Sequence, residues 1–165
     1  MAVVVSLRDL VDELQTLSNE SHAYLNKITG EILSVTNDDF AMVDSGDDWR
    51  EFSESELEEK FFEHVEKVRF SEEYLELPNQ FDIHEYEIME RFCLSIPNEI
   101  ISDVLLDKIR GSGAFRRFKD TIYRYGIEKD WFKFRDEAYK EIAVSWLESN
   151  GFAYSDDMNR REQSV

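Results

Sequence analysis

Cysteine is almost missing from this chain, with Cys93 standing alone. No intramolecular disulfide is available, so the fold has to rest on a buried core, and a reducing compartment suits it. Proline occurs twice and glycine six times in 165 residues. That is too few for a proline- or glycine-rich linker, and neither a low-complexity block nor an internal repeat is present. Long apolar runs are missing as well. The start, Met1-Ala2-Val3-Val4-Val5, is followed at once by Arg8 and Asp9. It is expected to be neither a signal peptide nor a membrane span, and a cytoplasmic protein without membrane contact is the expectation. Basic residues are scarce: 19 lysines and arginines face 37 aspartates and glutamates, for a net charge of −18. Such a surplus favours solubility and repels acidic polymers. It argues against a surface that grips nucleic acid or anionic lipid over its whole extent.

The residue types that carry chemistry are also thin. His22, His64 and His84 lie in unrelated segments, and no pair sits at i, i+4. His84-Glu85-Tyr86-Glu87-Ile88 lacks the second histidine of a zinc-protease helix. Cys93 falls on an apolar helical stripe, where it reads as core filler rather than nucleophile. Asp44-Ser45-Gly46-Asp47-Asp48 has a calcium-like composition without the spacing or closing glutamate of an EF-hand. No catalytic residue, metal ligand or cofactor fingerprint emerges, and nothing identifies an enzyme.

What is present is enough apolar residue for a core, 42% of the chain, arranged mostly at helical spacing. Ser6 and Asp9 cap a helix carrying Leu7, Leu10, Val11, Leu14 and Leu17. A hairpin follows, from Ala23-Tyr24-Leu25 through Gly30 to Ile32-Leu33-Ser34-Val35, with Phe40 to Val43 as a third short strand. Ser53 with Glu56 is expected to cap a helix bearing Leu57, Phe61, Val65 and Val68. Tyr74 to Pro78 reads as extended. Asp82 with Glu85 opens a helix ended by Pro97, and Asn98 opens the next. Gly111-Ser112-Gly113 separates it from a helix with Phe115, Phe118 and Ile122. The last helix runs from about Asp130 to Ser149, with Trp131, Phe134, Ala138, Ile142 and Trp146 inward.

The expected fold is α+β and mainly helical: an N-terminal helix and a small antiparallel sheet packed on a C-terminal multi-helix part. One compact domain is expected over 1–152, with a helix-hairpin part over 1–50 and a helical part over 51–152. A flexible tail is expected over 153–165.

One stretch departs from the acidic background. Between Lys108 and Arg135 there are nine basic residues and three acidic ones, so a local charge of +6 sits in a chain that is otherwise −24. Gly111, Ser112 and Gly113 precede a helix N-terminus, where free backbone N–H groups and the helix dipole favour an anion. Arg110, Arg116, Arg117 and Lys119 would add donors for phosphate or carboxylate. These seven residues form the candidate anion-binding site. The plainer alternative is that the arginines pair with the acidic surface and that Gly-Ser-Gly is only a tight interhelical turn. The spacing is not that of a phosphate loop. A basic second helix after a glycine turn also has the outline of a helix-turn-helix, which the acidic remainder of the chain opposes.

The run Arg110-Gly111-Ser112-Gly113-Ala114-Phe115-Arg116-Arg117-Phe118-Lys119-Asp120 is distinctive, with Trp131-Phe132-Lys133-Phe134-Arg135-Asp136-Glu137-Ala138 after it. With Ile83-His84-Glu85-Tyr86 and Met89-Glu90-Arg91-Phe92 upstream, the chain resembles an uncharacterised family of small acidic bacterial proteins. The resemblance covers about Tyr74 to Gly151 most specifically. It implies a bacterial cytoplasmic protein and supplies no activity, cofactor or catalytic residue. The expected function is therefore a non-enzymatic binding or regulatory role, recognising an anionic ligand or an acidic protein segment through the basic cluster. The alternatives are an enzyme acting on a phosphorylated small molecule and a nucleic-acid binder.

Overall fold

A computed structural model describes residues 3–46 and 48–159. Met1, Ala2, Asp47 and residues 160–165 lie outside it. With them lie parts of the apolar start, of the acidic loop and of the expected tail. The described chain is α+β and mainly helical, with seven α-helices, a three-stranded antiparallel sheet and a separate parallel strand pair. Its described residues divide into two compact units, one from the stretches up to residue 82 and from 143 onward, the other residues 83–142.

The first unit opens with β1 (Val4–Ser6) and α1 (Leu7–Thr16). The Ser6 hydroxyl caps α1 by accepting from the Asp9 amide at 3.2 Å. Leu7, Leu10, Val11 and Leu14 are buried along one stripe of α1, as the spacing predicts. Within the expected tail, β5 (Ala153–Ser155) pairs in parallel with β1. The Asp157 carboxylate just beyond it accepts from the Ser6 hydroxyl at 2.6 Å and the Arg8 amide at 2.8 Å. An anion at the first turn of a helix is favoured by the dipole and the unpaired amides.

The hairpin is present as β2 (Ser21–Asn26) and β3 (Ile32–Thr36). Two features close its turn. Buried Asn26 accepts from the amides of Ile28 and Thr29, and Gly30 adopts φ +78°. A Cβ on Gly30 would stand 2.8 Å from Val3 Cγ1, so only glycine fits both the backbone and the space. The third strand is not Phe40 to Val43. That segment belongs to α2 (Asn37–Asp44), because Thr36 and Asp39 form a reciprocal capping box that fixes a helix start. The sheet partner is β4 (Tyr74–Glu76), which lies antiparallel to β2. It is the extended segment ahead of Pro78.

A 3-10 turn at Trp49–Glu51 leads to α3 (Glu56–Phe70). The cap of α3 is Ser55, which accepts from the Glu58 amide, whereas the Ser53 hydroxyl bonds Arg50 O and Glu59. The buried face is correspondingly shifted to Phe62 and Val65, and Leu57 is exposed. Val35, Phe40, Trp49, Phe62 and Val65 form one buried cluster, drawn from both sides of residue 50.

The second unit contains α4 (Glu85–Ser95), α5 (Glu99–Lys108), α6 (Ala114–Arg124) and the first part of α7 (Glu128–Ser149). His84, the residue before α4, makes no side-chain cap. Asp82 instead accepts from the Asn79 amide. Asn98 caps α5 as expected, accepting from Ile100 and Ile101. The core is aromatic. Phe118 meets Trp131 edge-on with ring centroids 4.8 Å apart, and Phe92 contacts Phe118, Trp131 and Phe134 at 5.4–6.0 Å. T-shaped pairs of this kind align ring edge with ring face and add to the burial energy. Phe115, expected inward with Phe118, is 45% exposed.

Candidate functional site

Helix α5 ends at Lys108, and the chain reverses through Arg110–Gly113 before α6 begins. Gly111 and Gly113 both have positive φ, at +77° and +76°. A Cβ on Gly111 would meet nothing within 4 Å, so that glycine serves backbone conformation alone. At Gly113 a Cβ would lie 3.0 Å from an Arg117 guanidinium nitrogen, so the end of that side chain would have to give way slightly.

That contact follows from the direction of Arg117. Its Nε donates to Lys108 O at 2.9 Å, Nη1 donates to Ser112 O at 2.6 Å, and Nη2 donates to Arg110 O. Three of the five guanidinium N–H donors therefore go to backbone carbonyls at the end of α5 and in the turn. Such carbonyls have no helical partner, so Arg117 acts as a side-chain cap on the preceding helix. Its charge also sits near the negative end of the α5 dipole.

The other members of the cluster point elsewhere. Arg110, Gly111, Ser112 and Gly113 are exposed on the turn. Arg116 and Lys119 are exposed on α6 and, three residues apart, lie side by side, Arg116 opposite Phe118 and Lys119 on the flank of the buried face. The Lys119 ammonium stands 5.1 Å from the centroid of the Phe115 ring. Tyr123, 57% exposed, extends the same face, which also holds Asp120. The α6 start has no side-chain cap. The sequence thus assembles a contiguous basic stretch, but Arg116 and Arg117 diverge around the helix, and Arg117 turns back onto the chain.

Among the described residues, Arg135 is the only one of the nine bases from Lys108 to Arg135 in an ion pair with a carboxylate. Its partner Glu85 accepts from Arg135 Nε at 2.8 Å and from the Tyr139 hydroxyl at 2.7 Å. Burial, with Glu85 adding to it, pushes the Tyr139 phenol well above its ordinary range. This network escaped the reading of the sequence. Its one signal is the i, i+4 spacing of Arg135 and Tyr139 on a helical face. It joins the start of α4 to α7 within the unit and reads as a structural tie.

Charge separates by unit as well. Residues 83–142 hold 11 lysines and arginines against 12 aspartates and glutamates, so nearly all of the −18 resides in the other unit. No group of histidine, cysteine, aspartate and glutamate suited to a metal ion occurs among the described residues, nor is any described helix long and apolar enough to cross a membrane.

A family model described as an uncharacterised protein family, UPF0158, matches residues 1–165. The chain belongs to that family. Comparison with curated proteins and with solved structures finds no match. Membership thus identifies a lineage without an assigned activity, and function has to be argued from the residues themselves.

Proposed function

We propose that this is a non-enzymatic binding protein that recognises an acidic segment of a partner protein through the exposed face of α6. Arg116 and Lys119 supply the charge contacts and Arg110 flanks them. Phe115 and Tyr123 supply apolar contact between the charges. The observation that carries the reading is that, among the described residues, none of these three cations has a carboxylate partner, although the sequence holds 37 acids. A small phosphorylated ligand fits less well. It needs donors converging on one point, whereas Arg117 spends its fork on carbonyls and Arg116 faces away from it. A peptide laid along a helix face needs only a row of contacts, and exposed aromatics beside cations are common in such interfaces. The single buried cysteine accords with work in the bacterial cytoplasm.

The test is fluorescence anisotropy with a labelled Glu/Asp-rich peptide containing one aromatic residue. Each exposed ion pair is worth about 0.2–1 kcal/mol, so Arg116→Ala with Lys119→Ala should weaken binding about tenfold and leave the melting temperature unchanged. An unchanged affinity in that double variant refutes the assignment. So does tighter binding of an oligonucleotide of equal charge, with the steep salt dependence of counterion release.

A further inference from the structure

The first unit carries a separate cleft of about 310 Å³, lined by Glu76, Leu77, Pro78, Asn79, Asp82 and Trp146. We propose that this cleft binds an organic cation, an alkylammonium or guanidinium group, between the Trp146 indole and the carboxylates of Glu76 and Asp82.

Trp146 is the distinctive element. Trp49 and Trp131 are buried at 3% and 1% exposure, whereas Trp146 is only half-buried and lines the cleft. Phe152 stacks on it at 6.2 Å with the rings 18° apart, which holds the indole plane in place. Indole is the best of the side-chain rings for attracting a cation. Elsewhere the chain supplies its own: Arg50 stands over Trp49, Arg69 over Phe40 and Lys119 over Phe115. Among the described residues no cation of the chain stands over Trp146.

The walls suit the stem of such a ligand and the rim suits its charge. Leu77 is buried, its amide bonded to Ala23 O at 2.9 Å, and Pro78 follows it. Asn79 and Asp82 are locked to each other: Asn79 Oδ1 accepts from the Asp82 amide, and Asp82 Oδ2 accepts from the Asn79 amide, each at 3.0 Å. One oxygen of Glu76 faces His22 Nδ1 at 3.4 Å. The second oxygens of Glu76 and Asp82 have no partner among the described residues. A positive group on a short apolar stem thus meets aromatic surface, aliphatic surface and two carboxylate acceptors in one small concavity. The same chemistry describes a free diamine and an arginine or lysine side chain of another protein.

The test uses the full chain with two probes, putrescine and the blocked peptide acetyl-Gly-Arg-Gly-amide, followed by Trp fluorescence and by calorimetry. Saturable binding of either probe with a change in Trp emission is expected. Putrescine alone points to a free diamine, and the peptide alone points to a partner's side chain. Glu76→Gln with Asp82→Asn should weaken binding at least tenfold, and Trp146→Phe should weaken it about threefold by calorimetry. Glu87→Gln with Glu90→Gln removes the same charge from exposed positions in the other unit and should change affinity less than twofold. Equal losses in the two double variants would reduce the effect to bulk attraction by an acidic protein and overturn the proposal. So would the failure of both probes to bind saturably.

Discussion

Arg117 and Arg116 are neighbours in sequence with opposite expected roles, and replacing each by alanine separates them. In Arg117→Ala, three carbonyls at Lys108, Arg110 and Ser112 lose their donor. A hydrogen bond to a charged group contributes about 1.5–3 kcal/mol when well shielded. Arg117 is only half-buried, so water takes over part of each lost bond and about 0.5–1 kcal/mol per bond is the working figure. The expected loss is about 2 kcal/mol, or a fall in melting temperature of about 4–8 °C for a chain of this size. Arg116→Ala removes an exposed side chain that has no ion pair among the described residues and should stay within about 0.5 kcal/mol of the parent. Urea unfolding followed by circular dichroism, with no ligand present, measures both. A third variant checks the geometry. Gly113→Ala should destabilise through its positive φ and through the 3.0 Å approach to Arg117. The steric part should vanish when Arg117 is already alanine, giving a non-additive cycle. If Arg117→Ala unfolds like the parent while Arg116→Ala does not, the assignment of Arg117 as a cap is wrong.

Other expectations concern the core and the titrating groups. Phe118→Ala removes a fully buried ring from contact with Phe92 and Trp131 and should cost about 3–5 kcal/mol in the same urea assay. Burial pushes the Cys93 thiol up to about 11, so a thiol reagent at pH 8 should leave the native protein unlabelled and react on unfolding. Thr36→Ala should cost about 1 kcal/mol by dissolving the capping box of α2. The hydrogen bond from Arg69 holds the Asp44 carboxyl below its ordinary value. A depressed folded-state value means a contribution complete above the unfolded pKa of about 4 and lost as pH falls through the folded one. Asp44→Asn should therefore lower stability by a constant amount above about pH 4 and converge with the parent as the pH falls, which leaves a shallower acid limb.

The elements best legible in the sequence are those whose signals are local. Asn98, the Gly111–Gly113 turn, the α1 stripe and the Gly30 hairpin each depend on residues within a turn or two of one another. Phe40 to Val43 misled because four apolar residues suit a strand in isolation. The deciding signal was the Thr36–Asp39 spacing just upstream, which fixes a helix whatever follows. Ser53 competed with Ser55 as a cap two residues away, and helix boundaries carry an uncertainty of that size. The candidate site was legible as a charge anomaly, and its seven residues do lie on one turn and helix start. The direction of Arg117 was not legible. Its acceptors are main-chain carbonyls, which leave no mark in composition or periodicity. The Glu85–Arg135–Tyr139 tie was hidden because its members are about 50 residues apart.

We propose that the exposed face of α6 meets an acidic partner segment. An amide-resolved NMR titration of the isotope-labelled full chain with the Glu/Asp-rich peptide tests it most directly. Saturable shifts are expected, concentrated at Arg110, Phe115, Arg116, Lys119 and Tyr123, with the amides of α1 and of the β2–β3 hairpin unmoved. Shifts scattered over both units, or confined to residues outside α6 and its preceding turn, would contradict it.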